Sequence, residues 1–179
     1  MTPDPQIDEV YQDAEAEYTL VSSDNIAFKV HRHHLFLSSV FKDMVDALDP
    51  SCTTISPTDE YMEEADTIRY FLDICHHKAT ALIWDTYGVF RAVISFVKNY
   101  EIHLIEPFLR LQLQKHIEGD GRARYCFILA AELADIECAA RSIEKAGEMV
   151  FENNDGTNAP KKWFINEQIH DRAKLGPSG

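Results

Sequence analysis

From Tyr18 the chain alternates in the manner of strands. "YTLVSS" is rich in β-branched and apolar residues, "DN" is a turn signal, and "AFKVH" alternates apolar with polar positions, which predicts a β-hairpin over 18–31. After His31 the period changes. Leu37, Val40, Phe41, Met44, Val45 and Leu48 recur in steps of three and four, the spacing of a helix with one buried stripe. Ser38 and Ser39 can divide this stretch into two short helices, one of them capped by a serine. Pro50 then disfavours the helical conformation at Asp49, and "TTIS" predicts a short third strand.

Helical spacing dominates the rest. Asp66 is a candidate N-cap for a helix carrying Ile68, Phe71, Leu72 and Cys75 at i, i+3, i+4 and i+7. "ATALIW" is a short apolar run compatible with a strand. A helix from about Tyr87 to Tyr100 places Val89, Phe90, Val93, Val97 and Tyr100 on one face. Another covers about Leu104 to His116, with Pro107 tolerable only in its first turn. "EGDG" is a stop, and two more helices follow in "RYCFILAAELA" and "IECAARSIEKAGEMV", the second capped by Asp135. The domain plan is an acidic arm over 1–17, an α+β body over 18–117, a helical extension over 118–151, and a polar linker and tail over 152–179. The arm carries six acids and no basic residue, which predicts a solvated segment; Ile7, Val10 or Tyr11, and Ala14 leave room for a short docked helix.

Charge narrows the function classes. Lys and Arg total 17 against 30 Asp and Glu, a formal net charge of -13, which repels phosphate backbones and anionic lipid surfaces and argues against nucleic acid or membrane as direct partners. Cys52, Cys75, Cys126 and Cys138 are far apart and never form C-x-x-C, so they read as reduced thiols of an intracellular protein. The start "MTPDPQIDEVYQDAEAEY" lacks the basic and apolar regions of a signal peptide, and no segment is of membrane-spanning length. Cytoplasm or nucleus is the expected location.

Candidate chemistry centres on the histidines. His31, His33 and His34 fall within four positions, but ligands must converge on one point, and only His31 and His34 are spaced to share a helical face. Cys75, His76 and His77 have no C-x-x-C or H-x3-H partner and read as a buried thiol followed by two exposed imidazoles. No G-x-S-x-G, P-loop, G-x-G-x-x-G or H-E-x-x-H occurs, and neither an oriented base nor an oxyanion-binding group is evident beside a cysteine. The expectation is a non-enzyme without metal or cofactor.

The stretch "SSDNIAFKVHRHHLFLSSVFKDM", followed by "EEADTIRYFLDICHH", "RAVISFVKNYEIHLIEPFL" and "RYCFILAAELADIECAARSIEKA", resembles the BTB/POZ family in its short fungal form with a helical C-terminal extension. The likeness covers about 18–150, with Asn99 where a lysine is usual and "CHHK" where a C-Y-P or I-Y-x-G turn is common. The resemblance implies a BTB/POZ fold, with a small β-sheet flanked by a cluster of helices, and a protein-interaction module that pairs with itself or with other BTB proteins. It implies structural roles for Asp24 in the turn and for His31 at the strand-to-helix junction, where an imidazole can bond backbone groups left unpaired at a helix start.

It also implies a pairing face formed by the hairpin and first helices. His33, His34, Leu35, Phe36, Val40 and Phe41 are its candidates, and Phe36 is the residue most expected to be exposed. The alternative function is a substrate adaptor that recruits a cullin-type ubiquitin ligase. There Ile83, Trp84 and Asp85 fit the family's hydrophobic-x-acidic motif loosely, with Asp in place of Glu.

Overall fold

The hairpin forms where the alternation places it. Strand β2 (Tyr18–Val21) pairs antiparallel with β3 (Ile26–Val30), with Leu20 opposite Phe28, and both side chains are fully buried. The loop Ser23–Asn25 closes with Asn25 at φ 67°, a left-handed conformation that asparagine adopts more readily than most residues. The structure, a computed structural model, describes residues 4–49, 51–56, 59–78, 87–117 and 123–146. The chain divides into two units, Met1–Lys145 and Ala146–Gly179, and the elements below belong to the first as far as Lys145.

Two short strands complete a mixed sheet of order β1-β3-β2-β4. Strand β1 (Gln6–Ile7) runs parallel to β3, and β4 (Thr54–Ile55) runs parallel to β2. The acidic arm is exposed over most of its described length, as its charge predicts, but it is anchored through Asp8 and Tyr11 and docks as a strand rather than a helix. Asp8 is 4 % exposed and Tyr11 5 % exposed. One Asp8 oxygen accepts from the Val10 and Tyr11 amides, and the other accepts from the Arg69 guanidinium at 2.6 and 3.1 Å. Burial pushes the Asp8 carboxyl up, but the Arg69 bond and the two amides outweigh it and leave the group below the usual carboxylate range.

Helices α1 (Arg32–Leu35) and α2 (Ser39–Ala47) are separate, with Ser38 between them accepting from the Phe41 amide at 2.9 Å, as a serine cap should. Helix α3 (Ala65–Cys75) starts differently from the sequence expectation. Asp66 lies in its first turn and pairs with Arg69, while the Ala65 amide is taken by Asp24 from the hairpin loop at 2.8 Å. The cap thus comes from 41 residues earlier in the chain. Helix α4 (Tyr87–Asn99) buries Phe90, Val93, Ile94, Phe96 and Val97. Its Phe90 and Phe96 meet Tyr70 and Phe71 of α3 at ring separations of 6.1 and 5.3 Å.

Helix α5 (Glu106–Ile117) holds Pro107 in its first turn. Helices α6 (Ala123–Glu132) and α7 (Ile136–Ala146) follow, and the Cys138 amide donates to Asp135 at 3.0 Å, so Asp135 caps α7 as its position predicts. This is an α+β architecture. The expected strand at "ATALIW", the stop at "EGDG" and the tail after 152 lie outside the described residues.

A buried hydrogen-bond chain ties these helices together. The Ser38 hydroxyl donates to the Tyr100 carbonyl, the Tyr100 hydroxyl donates to Glu63, and the Glu63 carbonyl accepts from the Ser23 amide beside Asp24. The Tyr100 ring also stacks on Phe41 at 4.1 Å with 10° between planes. Phenylalanine at position 100 keeps the stacking but leaves the buried Glu63 carboxylate short of a donor. Tyr100→Phe is therefore expected to cost about 1–3 kcal/mol, read as a lower urea midpoint with an unchanged slope.

Three helices end without glycine. After α3, α4 and α6 the residues His77, Glu101 and Ala134 take φ of 54°, 52° and 52°. In each case the amide of that residue and the one after it turn back in a Schellman pattern, as in Ala134 to Ala131 and Asp135 to Ala130. An L-residue there is strained by roughly 1–2 kcal/mol. Ala134→Gly is expected to raise the unfolding free energy by about 1 kcal/mol, the relieved strain exceeding the added freedom of the unfolded chain; a thermal midpoint that stays level or falls contradicts this.

Candidate functional site

The β3–α1 junction brings the histidines together, though not as their spacing suggested. His31 makes no backbone cap. Its two ring nitrogens face Asp13 at 3.1 Å and Glu17 at 3.2 Å, and Glu17 itself accepts from the Arg32 amide at the helix start. The capping group is thus a carboxylate from the arm, a stronger acceptor for an amide at a helix N-terminus than a neutral imidazole. The bond to Asp13, helped by Glu17, outweighs burial and raises the His31 pKa.

His34 departs further from expectation. It is only 8 % exposed, so it is not a surface residue. Its ring lies 4.0 Å from that of His33 and 4.3 Å from that of His76, the C-cap residue of α3, and its Nδ1 has no hydrogen-bond partner. Burial first, then the neighbouring imidazoles of His33, His76 and His31, push its pKa down to about 4. It is neutral at physiological pH. His33 is exposed and stacks on His31 at 5.5 Å with 17° between planes.

Four imidazoles from two elements therefore form a run of ring contacts, His31 to His33 to His34 to His76. The fourth was hidden in the sequence because His76 is 42 positions from His34 and carries no spacing signal. Among the described residues no group of three or more His, Cys, Asp or Glu is placed to hold a metal ion. The Cys75 thiol beside His76 is pushed up to about 12 by burial, and Cys126 and Cys138 to about 11 by the same cause.

Beside the histidines runs an open groove of about 1120 Å³. Its walls come from α1 (His33, His34), the end of α3 (Ile74, Cys75, His77, Lys78) and α5 with the turn before it (Leu104, Ile105, Phe108, Gln112, Lys115, His116), with Leu37 between α1 and α2. Leu104 is 74 % exposed there, a position that periodicity alone could not assign because it precedes the helix proper.

The expected pairing face is only partly present. Leu35 and Phe41 are fully buried core residues, because α1 and α2 are too short to bury an apolar stripe without using both. Phe36 is half-buried rather than exposed, with the Arg32 guanidinium 4.5 Å over its ring. Val40 is half-buried, and one turn on, on the same face of α2, Met44 is 38 % exposed. Ile83, Trp84 and Asp85 lie outside the described residues. No helix among the described residues is long and apolar enough to cross a membrane. No family model, no curated protein and no solved structure matches the chain.

The buried imidazole makes a pH prediction with a definite sign. The unfolded chain protonates His34 near pH 6.5 and the folded chain near 4, so its contribution is complete above about pH 6.5 and is lost as pH falls toward 4. His31, with its raised pKa, works the other way: its contribution is complete below the unfolded value and is lost as pH rises through the folded one. Between about pH 6.5 and 4.5 the native chain is expected to lose on the order of 2 kcal/mol more than His34→Phe. Urea unfolding of both proteins across that range reads the difference, and parallel pH profiles contradict it.

Proposed function

We propose that the chain is a protein-interaction module of the BTB/POZ kind that pairs with a second copy of itself through the α1–α2 region. The observation that carries this reading is the outer face of α2, where Val40 is half-buried and Met44 and Ala47 are exposed at steps of four and three. Phe41 fills the inner side of this nine-residue helix and Val40 packs partly on the core, which leaves Met44 and Ala47 exposed on the face one turn further out among the described residues. The order of hairpin, paired short helices, short parallel strand and helical cluster is compatible with this reading, and the four stretches of sequence that resemble the family suggest it. Burial raises the Cys75, Cys126 and Cys138 thiols and so disfavours the thiolate that nucleophilic chemistry at those three positions would need.

Pairing works against charge. Each copy carries -13, so two copies repel at low ionic strength, and salt that screens this repulsion favours the pair. Light scattering at tens of micromolar, on the order of the affinity expected of a modest apolar contact, should give twice the 20.5 kDa chain mass, shifting further toward the pair as salt rises. Val40→Asp with Met44→Asp should return the mass to one chain while the circular dichroism spectrum stays unchanged. A strictly monomeric native chain overturns the reading.

A further inference from the structure

The groove beside the histidine run differs from the rest of the molecule in charge. The sequence holds 30 acids against 17 Lys and Arg, yet the described residues lining this groove include no carboxylate. They supply instead the ammonium groups of Lys78 and Lys115 and the imidazoles of His33, His77 and His116, with the neutral His34 ring in the wall beside them. Lys78 is partly occupied, 3.5 Å from Asp73 and 3.0 Å from the Tyr11 hydroxyl. Lys115 sits exposed on α5. Beneath these groups the floor is apolar, with Ile74 and Ile105 buried, Phe108 half-buried, and Leu104 standing open at the rim.

We propose that this groove is the docking site for an acidic segment of another protein, one that presents apolar side chains between carboxylates. The volume of about 1120 Å³ exceeds that of most enclosed small-molecule pockets and leaves room for several side chains of a peptide. Carboxylates of the ligand meet the basic rim, while its Leu or Phe side chains cover Leu104 and Phe108. The chain's own arm does not fill the role, because Asp8, Asp13 and Glu17 are already bonded to Arg69 and His31. The proposal goes beyond self-pairing and does not rest on it, since Val40 and Met44 do not line the groove.

The test uses the full chain and two fluorescein-labelled peptides of equal length and equal Leu and Phe content, one with Glu and the other with Lys at every polar position. Fluorescence anisotropy should show the Glu peptide binding roughly tenfold or more tighter than the Lys peptide, with the difference shrinking as salt is raised. Lys115→Glu and, separately, Leu104→Glu should each weaken the Glu peptide roughly tenfold or more. Both positions are exposed, and unchanged circular dichroism establishes that the variants fold. Equal binding of the two peptides, or failure of the Glu peptide to bind, overturns the proposal. So does affinity that falls as the chain is concentrated into its paired form, because the groove would then be the pairing surface. A monomeric chain that still selects the Glu peptide removes self-pairing and leaves the groove assignment standing.

Discussion

A chain of hydrogen bonds from the Ser23 amide through the buried Glu63 and Tyr100 to Ser38, with the neighbouring Asp24 on the Ala65 amide, sets the relative positions of α2, α3 and α4. Each link satisfies a group that helix geometry leaves open: Asp24 takes an amide at the start of α3, Ser38 takes one at the start of α2, and the Tyr100 carbonyl after α4 receives the Ser38 hydroxyl. Glu63 is 4 % exposed, so its carboxylate is tolerable only because Tyr100 and the Asp59 amide donate to it. Phe41, Phe96 and Tyr100 pack around the same point, with rings 4.1 to 5.9 Å apart. Apolar packing supplies most of the stability there, while the polar chain selects one arrangement of helices among several that would bury the same rings.

That constraint reaches the surface features. Because α1 is one turn long and is held between β3 and the Ser38 cap, His33 and His34 cannot both turn outward, and His34 is forced into contact with the end of α3. The Schellman turn at His77 ends α3 there and presents His76, His77 and Lys78 toward α1 and the arm. The arm in turn fixes both sides of the region, through Asp8 on Arg69, Tyr11 on Asp73 and two carboxylates on His31. Half of the arm's six acids therefore bear structure, in a chain of net charge -13.

Periodicity and turn residues made much of this fold legible. The hairpin, the division of the first helical stretch at Ser38, the Asp135 cap and the position of Pro107 all follow from local chemistry, in which the deciding residue and its partner are within a few positions of each other. The illegible parts share a different cause. The Asp24 cap on α3, the docking of the arm as a strand and the His34–His76 contact each join residues 20 or more positions apart, where no local pattern can distinguish a bonded carboxylate from a solvated one. Helix ends at His77, Glu101 and Ala134 carry no local signal, because glycine, the usual mark of a left-handed cap, is absent from all three.

The histidines show how a dense local cluster misleads about chemistry. Their crowding in sequence invites a search for a metal or a base, yet geometry gives each a different environment: His31 between two carboxylates, His33 in solvent, His34 buried and neutral. A ligand set or catalytic pair requires lone pairs converging on one point, whereas these rings contact one another over a distance that grows from 4.0 Å between neighbours to 6.4 Å between His31 and His34. The run spreads its imidazoles from the carboxylate-bonded His31 to the buried His34 and on to His76 at the end of α3 instead of concentrating them. Converging lone pairs are what such a run lacks.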